Sequence, residues 1–384
     1  MSSLTSYSRG TFVSFGGIVL GAIVALVCAG AAFFAAIEMF LAVTPTPDDA
    51  GQGGAPTWLA RLYYFVVTIA CCSLAAWVFR EMLRRTTPET VAKPARHAPL
   101  TASFGILVIL IYVFCAIFAD LIAPYGQNEI FDKTFVPPGG DPSIGGDPAN
   151  LLGTDQIGRD ILTRLIYGAQ NTVGIAFITT VLAFLLGSTL GFLAATVGGW
   201  LDQLISRIVD VMMSIPQLIF ALLMMTIASA WADKLGVSLT IFMVLIIAVL
   251  DSTRVFRLAR AVGLNIVVMD YIEAAKLRGE GLGHLIFKEI LPNATAPLLA
   301  EFGLRFCFVF LLIASLSFLG LGIEPELADW GSMVRDLGQF IAYATFDLLQ
   351  ASLPLMAAGA IALLTVAVNF VVDWMLHRSS GLKE

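Results

Sequence analysis

Charge is scarce in this sequence. Asp, Glu, Lys and Arg make up 13% of its 384 residues, against about 25% in an ordinary soluble domain. A water-soluble globule is therefore excluded. The net charge is −6 and no Lys/Arg-rich run occurs, which excludes the electrostatic footprint of a nucleic-acid binder. Histidine is rarer still: His97, His284 and His377 are all there are. None lies in a long apolar run, so a His-lined metal path is not expected. No P-loop, nucleophile elbow or metal-ligand spacing is present. The chain is thus expected to be no enzyme and to hold no metal or cofactor of its own. The five cysteines, Cys28, Cys71, Cys72, Cys115 and Cys307, all sit in apolar runs and read as buried thiols rather than disulfides. A cleavable signal is not expected, because the first apolar run is too long and lacks a clear cleavage site.

Apolar runs fill the chain instead, which is 58% hydrophobic with 27 Phe and 34 Gly. A bilayer core of about 30 Å needs roughly 20 apolar residues in a helix. Eight segments qualify: about Phe12–Val43, Trp58–Phe79, Leu100–Ala123, Val173–Val197, Leu204–Trp231, Leu235–Phe256, Phe302–Ile323 and Ala351–Trp374. The fold class is all-α, a polytopic membrane helical bundle. Lys and Arg crowd alternate gaps: Arg80, Arg84, Arg85, Lys93 and Arg96; Arg207; Arg254 through Arg305; Arg378 and Lys383. The positive-inside bias then places both termini in the cytoplasm and the polar stretch Pro124–Asn171 outside. The Pro-broken basic linker "REMLRRTTPETVAKPARHAP" makes a seam near residue 97. Residues 1–97 read as an accessory hairpin with its linker, and 98–384 as a core of about six spans.

One cytoplasmic stretch is out of character: "DYIEAAKLRGEGLGHLIFKEILPNATAP", within 264–298. Val267, Val268, Tyr271, Ile272 and Ala275 fall on one helical face, with Asp270, Glu273 and Lys276 off it. Gly279 and Gly281 break that helix. Leu282, Leu285, Ile286 and Ile290 form a second face, which Pro292 and Pro297 are expected to close. Two short helices with a bend are too charged to span. They suit docking to a soluble partner, and periodicity alone fits a solvated interfacial loop equally well.

The string decides between these by likeness. Glu273, Ala274, Ala275, Gly279, Leu291 and Pro292 resemble the EAA loop of ABC importer permeases. "LLGTDQIGRDILTRLIYGAQNTV", "GGWLDQLISRIVDVMMSIPQL" and "SLSFLGLGIEPELADWGSMV" are similar to segments of dipeptide, oligopeptide and nickel permeases. The likeness runs from about Leu100 to the C-terminus. It implies a type I ABC importer transmembrane domain carrying an extra N-terminal hairpin. It also implies a bacterial inner membrane location, a second permease subunit, two ATPase subunits that bind ATP and Mg, and an external substrate-binding protein. The EAA loop would be the coupling helix. Two departures stand out: Glu289 occupies a position that is often apolar in the family, and Gln170 one that is usually Arg.

Other residues have two readings each. Asp210 and Pro216 share a span; the proline kink serves a gate or simple packing, and Asp210 fits a helix N-terminus. Glu301 and Arg305 are spaced to pair on a helix surface at the cytoplasmic end of a span. Arg254, Arg257 and Arg260 are orientation charges near headgroups or contacts to an ATPase. Ile161, Leu162, Leu165 and Ile166 oppose Arg159, Asp160 and Arg164, as in an interfacial amphipathic helix; it either anchors in lipid or meets the binding protein. Ser214, Thr226, Ser315 and Asn369 are pore candidates, weakly polar and suited to releasing cargo. The expected function is an ABC importer permease for peptides or related solutes, with nickel, opines and glutathione as other cargoes of the family. A secondary transporter would need intramembrane ionisable residues, and the charges here are expected to cluster at span ends. A membrane enzyme would need a catalytic constellation.

Overall fold

The computed structural model describes residues 57–86, 98–140, 142, 145–343 and 348–379. The first expected span, Phe12–Val43, lies outside them. The described residues fall into two compact units, one running to Leu110 and including Leu348 and Leu349, the other formed by the remainder. The first unit holds α1 (Thr57–Thr86) and the start of α2 (Leu100–Ile117).

The second unit follows apolar sequence into long helices. After α2 come the short α3 (Ala119–Ile122) and an extended loop. Then α4 (Ile161–Gly168) passes through a π-helical turn, Ala169–Val173, into α5 (Gly174–Val197). Gly198 and Gly199, both at positive φ, turn the chain into α6 (Gly199–Ser214) and α7 (Gln217–Leu235). α8 (Leu239–Val267) returns to α9 (Asp270–Leu277). A one-turn α10 (Leu282–His284) and a π-helical run, Leu285–Ile290, lead into α11 (Leu291–Phe318). α12 (Trp330–Leu337) and α13 (Leu348–Ser379) complete the order. Among the described residues, six helices are long and apolar enough to cross a membrane, or seven if α6 and α7 count as one bent span.

α5 and α8 form the central pair, and small residues set their spacing. A Cβ on Gly187 would lie 2.5 Å from the Ser252 carbonyl oxygen, and one on Gly191 2.8 Å from that of Phe256. On the other helix, a Cβ on Gly263 would lie 2.9 Å from Ala195 Cβ. In lipid no hydrophobic force drives helices together, so close backbone approach at small residues carries the pairing. Phe302 of α11 packs edge-on against Phe177 and Phe184 of α5.

Three expectations need correction. Pro216 does not kink one helix. It separates α6 from α7, which meet at 93°, because Ile215 and Pro216 are both extended. Pro292 and Pro297 do not close a short helix either. Pro292 sits two residues after the π-helical run Leu285–Ile290, where the helical repeat changes, and Pro297 lies within α11. Residues 282–318 therefore run as one apolar span. Nor is 161–168 a separate interfacial helix, since it continues through the π turn into α5.

Its polar residues are buried instead. Arg159 Nε donates to Asp155 Oδ2 at 2.7 Å, and its Nη1 to the Pro325 carbonyl. Arg164 donates to the carbonyls of Gln127 and Leu327. Asp160 caps α4 by accepting from Thr163 N–H; burial raises its carboxyl pKa, opposed by the Thr163 hydrogen bonds. Asp329 caps α12 and accepts from Thr172 Oγ1. Trp330 Nε1 donates to the Leu165 carbonyl. The described parts of the loop 124–160 and the loop 319–329 are thus pinned onto α4 as a shelf.

Candidate functional site

α9 sits between the ends of α8 and α11. Its inner face is fixed: Ile272 and Ala275 are fully buried and pack with Leu285, Ile286 and Ile290 of the π run, Phe192 of α5 and Ala294 of α11. Its outer side is open. Glu273, Ala274 and Lys276 are exposed, Leu277 is 83% exposed and Val268, just before the helix, is 77% exposed. The apolar face expected from spacing is therefore divided, with Ile272 and Ala275 inward and Val268 and Tyr271 outward. Gly279 ends the helix at φ +82°, a region that only glycine enters without strain. Among the other expected residues, Leu291 is half-buried against the same core and Pro292 is exposed.

The loop after α9 is closed by charge. His284 lies 3.3 Å from Glu280 and 3.6 Å from Glu289, and Arg278 lies 3.8 Å from each of these acids. Glu289 thus has both His284 and Arg278 close to its carboxylate. Gln170 lies half-buried in the π turn between α4 and α5.

Two arginines of α8 are paired with acids of α6. Arg257 Nη2 donates to Asp210 Oδ1 at 2.6 Å, and Arg260 forms two bonds to Asp202. Asp210 stands near the C-terminal end of α6, so an N-terminal dipole role is ruled out; it is held by Arg257. Arg254 lies 6.0 Å from the centre of the Phe308 ring.

Charge is not confined to span ends. Asp251 is 0% exposed, and Arg305 Nη1 approaches its Oδ1 at 4.0 Å. The Glu301–Arg305 pair, at 2.5 Å, was expected on a helix surface. Instead it continues inward to Asp251, and Arg305 also lies 5.1 Å from the Phe308 ring centre. At 4.0 Å opposite charges attract by about 4 kcal/mol for an effective dielectric constant of about 20. Inserting one charged side chain at a helix centre costs about 2.5–3.5 kcal/mol. The pair therefore offsets roughly the insertion of one member. Sequence reading passed over Asp251, although a signal was there: an acid after the twelve uncharged residues Leu239–Leu250.

The four pore candidates are not gathered by these contacts. Ser214, Thr226 and Ser315 return their hydroxyls to their own helices, donating to Val211, Leu222 and Leu311. Ser315 lines an apolar groove between α11, α12 and α13. Asn369 is half-buried in α13. Among the described residues no group of acids, cysteines and histidines is placed to hold a metal ion.

Residues 187–380 match the family described as binding-protein-dependent transport system inner membrane component. That stretch contains the α6–α7 break, Asp251, α9 and Arg305. The chain belongs to this family. It is the membrane-spanning permease subunit of an ABC importer, with the type I importer transmembrane fold. The permease is 37% identical over 272 residues to the di/tripeptide transport system permease protein DppC of Pseudomonas aeruginosa, covering 70% of this chain and 84% of that one. It is 36% identical to the dipeptide transport system permease protein DppC of Escherichia coli K12, over 62% and 77% of the two chains. To the glutathione transport system permease protein GsiD of Pectobacterium atrosepticum it is 30% identical, over 67% and 78%. These relatives are transport permeases, not enzymes. The permease is an inner-membrane component of a binding-protein-dependent system, so a binding protein and an ATPase are its partner classes.

Proposed function

We propose that this permease carries short peptides or related small solutes into the cytoplasm, with α9 as the surface that receives force from an ATPase. Its working complex contains a second permease subunit, two ATPase subunits that bind ATP and Mg, and an external substrate-binding protein. Both termini and α9 face the cytoplasm. Cargo class rests on the relatives, named for di- and tripeptides, dipeptides and glutathione, itself a small peptide.

One observation carries the docking role. α9 is clamped on one side through Ile272 and Ala275 and open on the other through Leu277, Glu273 and Lys276. A helix free on both sides would absorb a push. A helix buried on both sides would meet no partner. Clamped against the π run and α5, α9 passes a displacement to α8 and α11. Glu273, Ala274, Ala275, Gly279, Leu291 and Pro292 make this unit. The α6–α7 break beside Asp210 and Pro216 is the candidate gate, and Ser214, Thr226, Ser315 and Asn369 are the candidates for the lining of the passage. Residues 1–97 are an accessory unit.

The test is a cross-link from Leu277→Cys to cysteines placed on the co-encoded ATPase, in the assembled complex. A link that forms with the ATPase and shifts with ATP supports docking. Absence of any link, with the complex intact, refutes it. A binding screen on the co-encoded external protein with di- and tripeptides, glutathione and nickel then tests the cargo.

A further inference from the structure

Asp251 and Arg305 have no place in the docking surface, yet both are deep in the bundle. Twelve uncharged residues, Leu239–Leu250, precede Asp251 on α8, and thirteen, Phe306–Phe318, follow Arg305 on α11. At about 1.5 Å per residue each lies about 18–20 Å from the far end of its helix, within a hydrocarbon core of about 30 Å. Ionisable groups at that depth mark function by default.

The pair is left open in this conformation. Both Asp251 carboxylate oxygens and Arg305 Nη1 are buried without a hydrogen bond, and 4.0 Å separates Nη1 from Oδ1. A buried charge with unused bonding capacity is costly, so a small approach of α8 and α11 would be rewarded. Gln217, the first residue of α7, lies beside the same carboxylate without a hydrogen bond of normal geometry. Three elements therefore meet at Asp251. Two of them, α8 and α11, are the arms on either side of α9. The third begins at the 93° break after Pro216. Arg254 and Glu301 supply the surrounding charges, and Phe308, half exposed, lies beside Arg254 and Arg305.

We propose that Asp251 and Arg305 form the intramembrane link between the α9 arms and the α6–α7 break. The link rests on the docking reading of α9. As the arms move, the Asp251–Arg305 gap closes or widens, and Gln217 moves with it. Asp251 and Arg305 are positioning residues: they set how much transport each ATP hydrolysed yields, without touching nucleotide.

The test uses the complete transporter in proteoliposomes, with transport and ATP hydrolysis measured in the same vesicles. Asp251→Asn keeps the shape and removes the charge; Arg305 keeps Glu301 as its partner. The expected result is a normal complex, continued ATP hydrolysis, and a fall in transport per ATP of about tenfold, within the usual range for coupled sites. Asp251→Glu should restore part of it. A fluorophore on Ile219→Cys, an exposed position on α7, should lose its ATP-dependent change in Asp251→Asn while the Leu277→Cys cross-link persists. Loss of that cross-link in the unaltered transporter would instead defeat the docking reading. Wild-type transport per ATP in Asp251→Asn would overturn the link. So would failure of both Asp251→Asn and the doubly neutral Asp251→Asn, Arg305→Gln to assemble, because the pair would then be a folding element.

Discussion

Replacing Gly191 by Ala adds one methyl group to the close-packed seam between α5 and α8. The new Cβ would lie 2.7 Å from Ala259 Cβ, 2.8 Å from the Phe256 oxygen and 2.9 Å from Arg260 N. Ordinary carbon contacts are about 3.5–4.0 Å, so α5 and α8 must separate by about 1 Å. Backbone atoms of α8 cannot rotate away as a long side chain would. Overpacking of this kind costs about 1–3 kcal/mol. Gly187→Ala meets the Ser252 oxygen at 2.5 Å and Val255 Cβ at 2.7 Å and should cost a similar amount. The two should not add. Once the helices have parted for one methyl, the other already has room, so the double variant should lose clearly less than the sum. Gly174→Ala is the control, on the same helix with nothing within 4 Å of its would-be Cβ. It should be neutral or stabilising by about 0.5–1 kcal/mol, from helix propensity. The measurement is equilibrium unfolding of the purified permease in mixed micelles. If Gly191→Ala unfolds with Gly174→Ala, or if the double variant is strictly additive, the close-packed seam is the wrong account.

Four further outcomes follow from other parts of the molecule. Gly279→Pro should uncouple transport from hydrolysis or block ATPase assembly, because φ is +82° there and its N–H donates to Lys276, neither of which proline allows; Glu273→Arg should do the same from the exposed side, and wild-type transport in both would refute it. In a protein freed of its own cysteines, an external thiol reagent should reach cysteines at Gly145 and Glu326 and miss one at Glu280; labelling at Glu280 in intact cells would reverse the topology. Glu326 is the reporter for the shelf because the neighbouring Asp329 is buried. A chain lacking residues 1 to about 90 should still co-purify with its second permease and ATPases, and failure would make that segment structural. Alanine at Ser214, Thr226, Ser315 and Asn369 should change transport rate modestly and leave cargo ranking unchanged, while a micromolar calorimetric signal from the permease pair alone would show a tight site inside it.

Much of the permease could be read before any coordinates. Apolar runs of bilayer length have one way to satisfy their backbone in lipid, so composition alone demanded helices. The string around Glu273 and Gly279 marked the segment proposed here to dock an ATPase, and Gly279 proved to be the left-handed stop that its position suggested. Helical periodicity placed Ile272, Ala275, Leu285, Ile286 and Ile290 inward correctly. It could not say which way Val268, Tyr271 and Leu282 face, all three exposed, because an apolar face does not reveal whether it meets a neighbour or a missing partner. The prolines show the same limit. Pro216 breaks a span while Pro292 and Pro297 are carried in one, and the outcome depends on where each falls relative to the hydrogen bonds of its helix.

What the tertiary structure alone decided is which distant residues share a place. Arg159, Arg164 and Asp160 looked like a water-facing stripe, and become a buried shelf only because loop carbonyls 163 and 166 positions away in sequence come back to receive the arginines. Gly187, Gly191 and Gly263 are ordinary small residues until α5 lies against α8. Asp251 and Arg305 are 54 positions apart and pair because the chain turns through α9 between them. Local sequence sets the helices, since hydrogen bonds within a helix are local. The partners of a buried charge are set by how helices cross, and that is a property of the packed bundle.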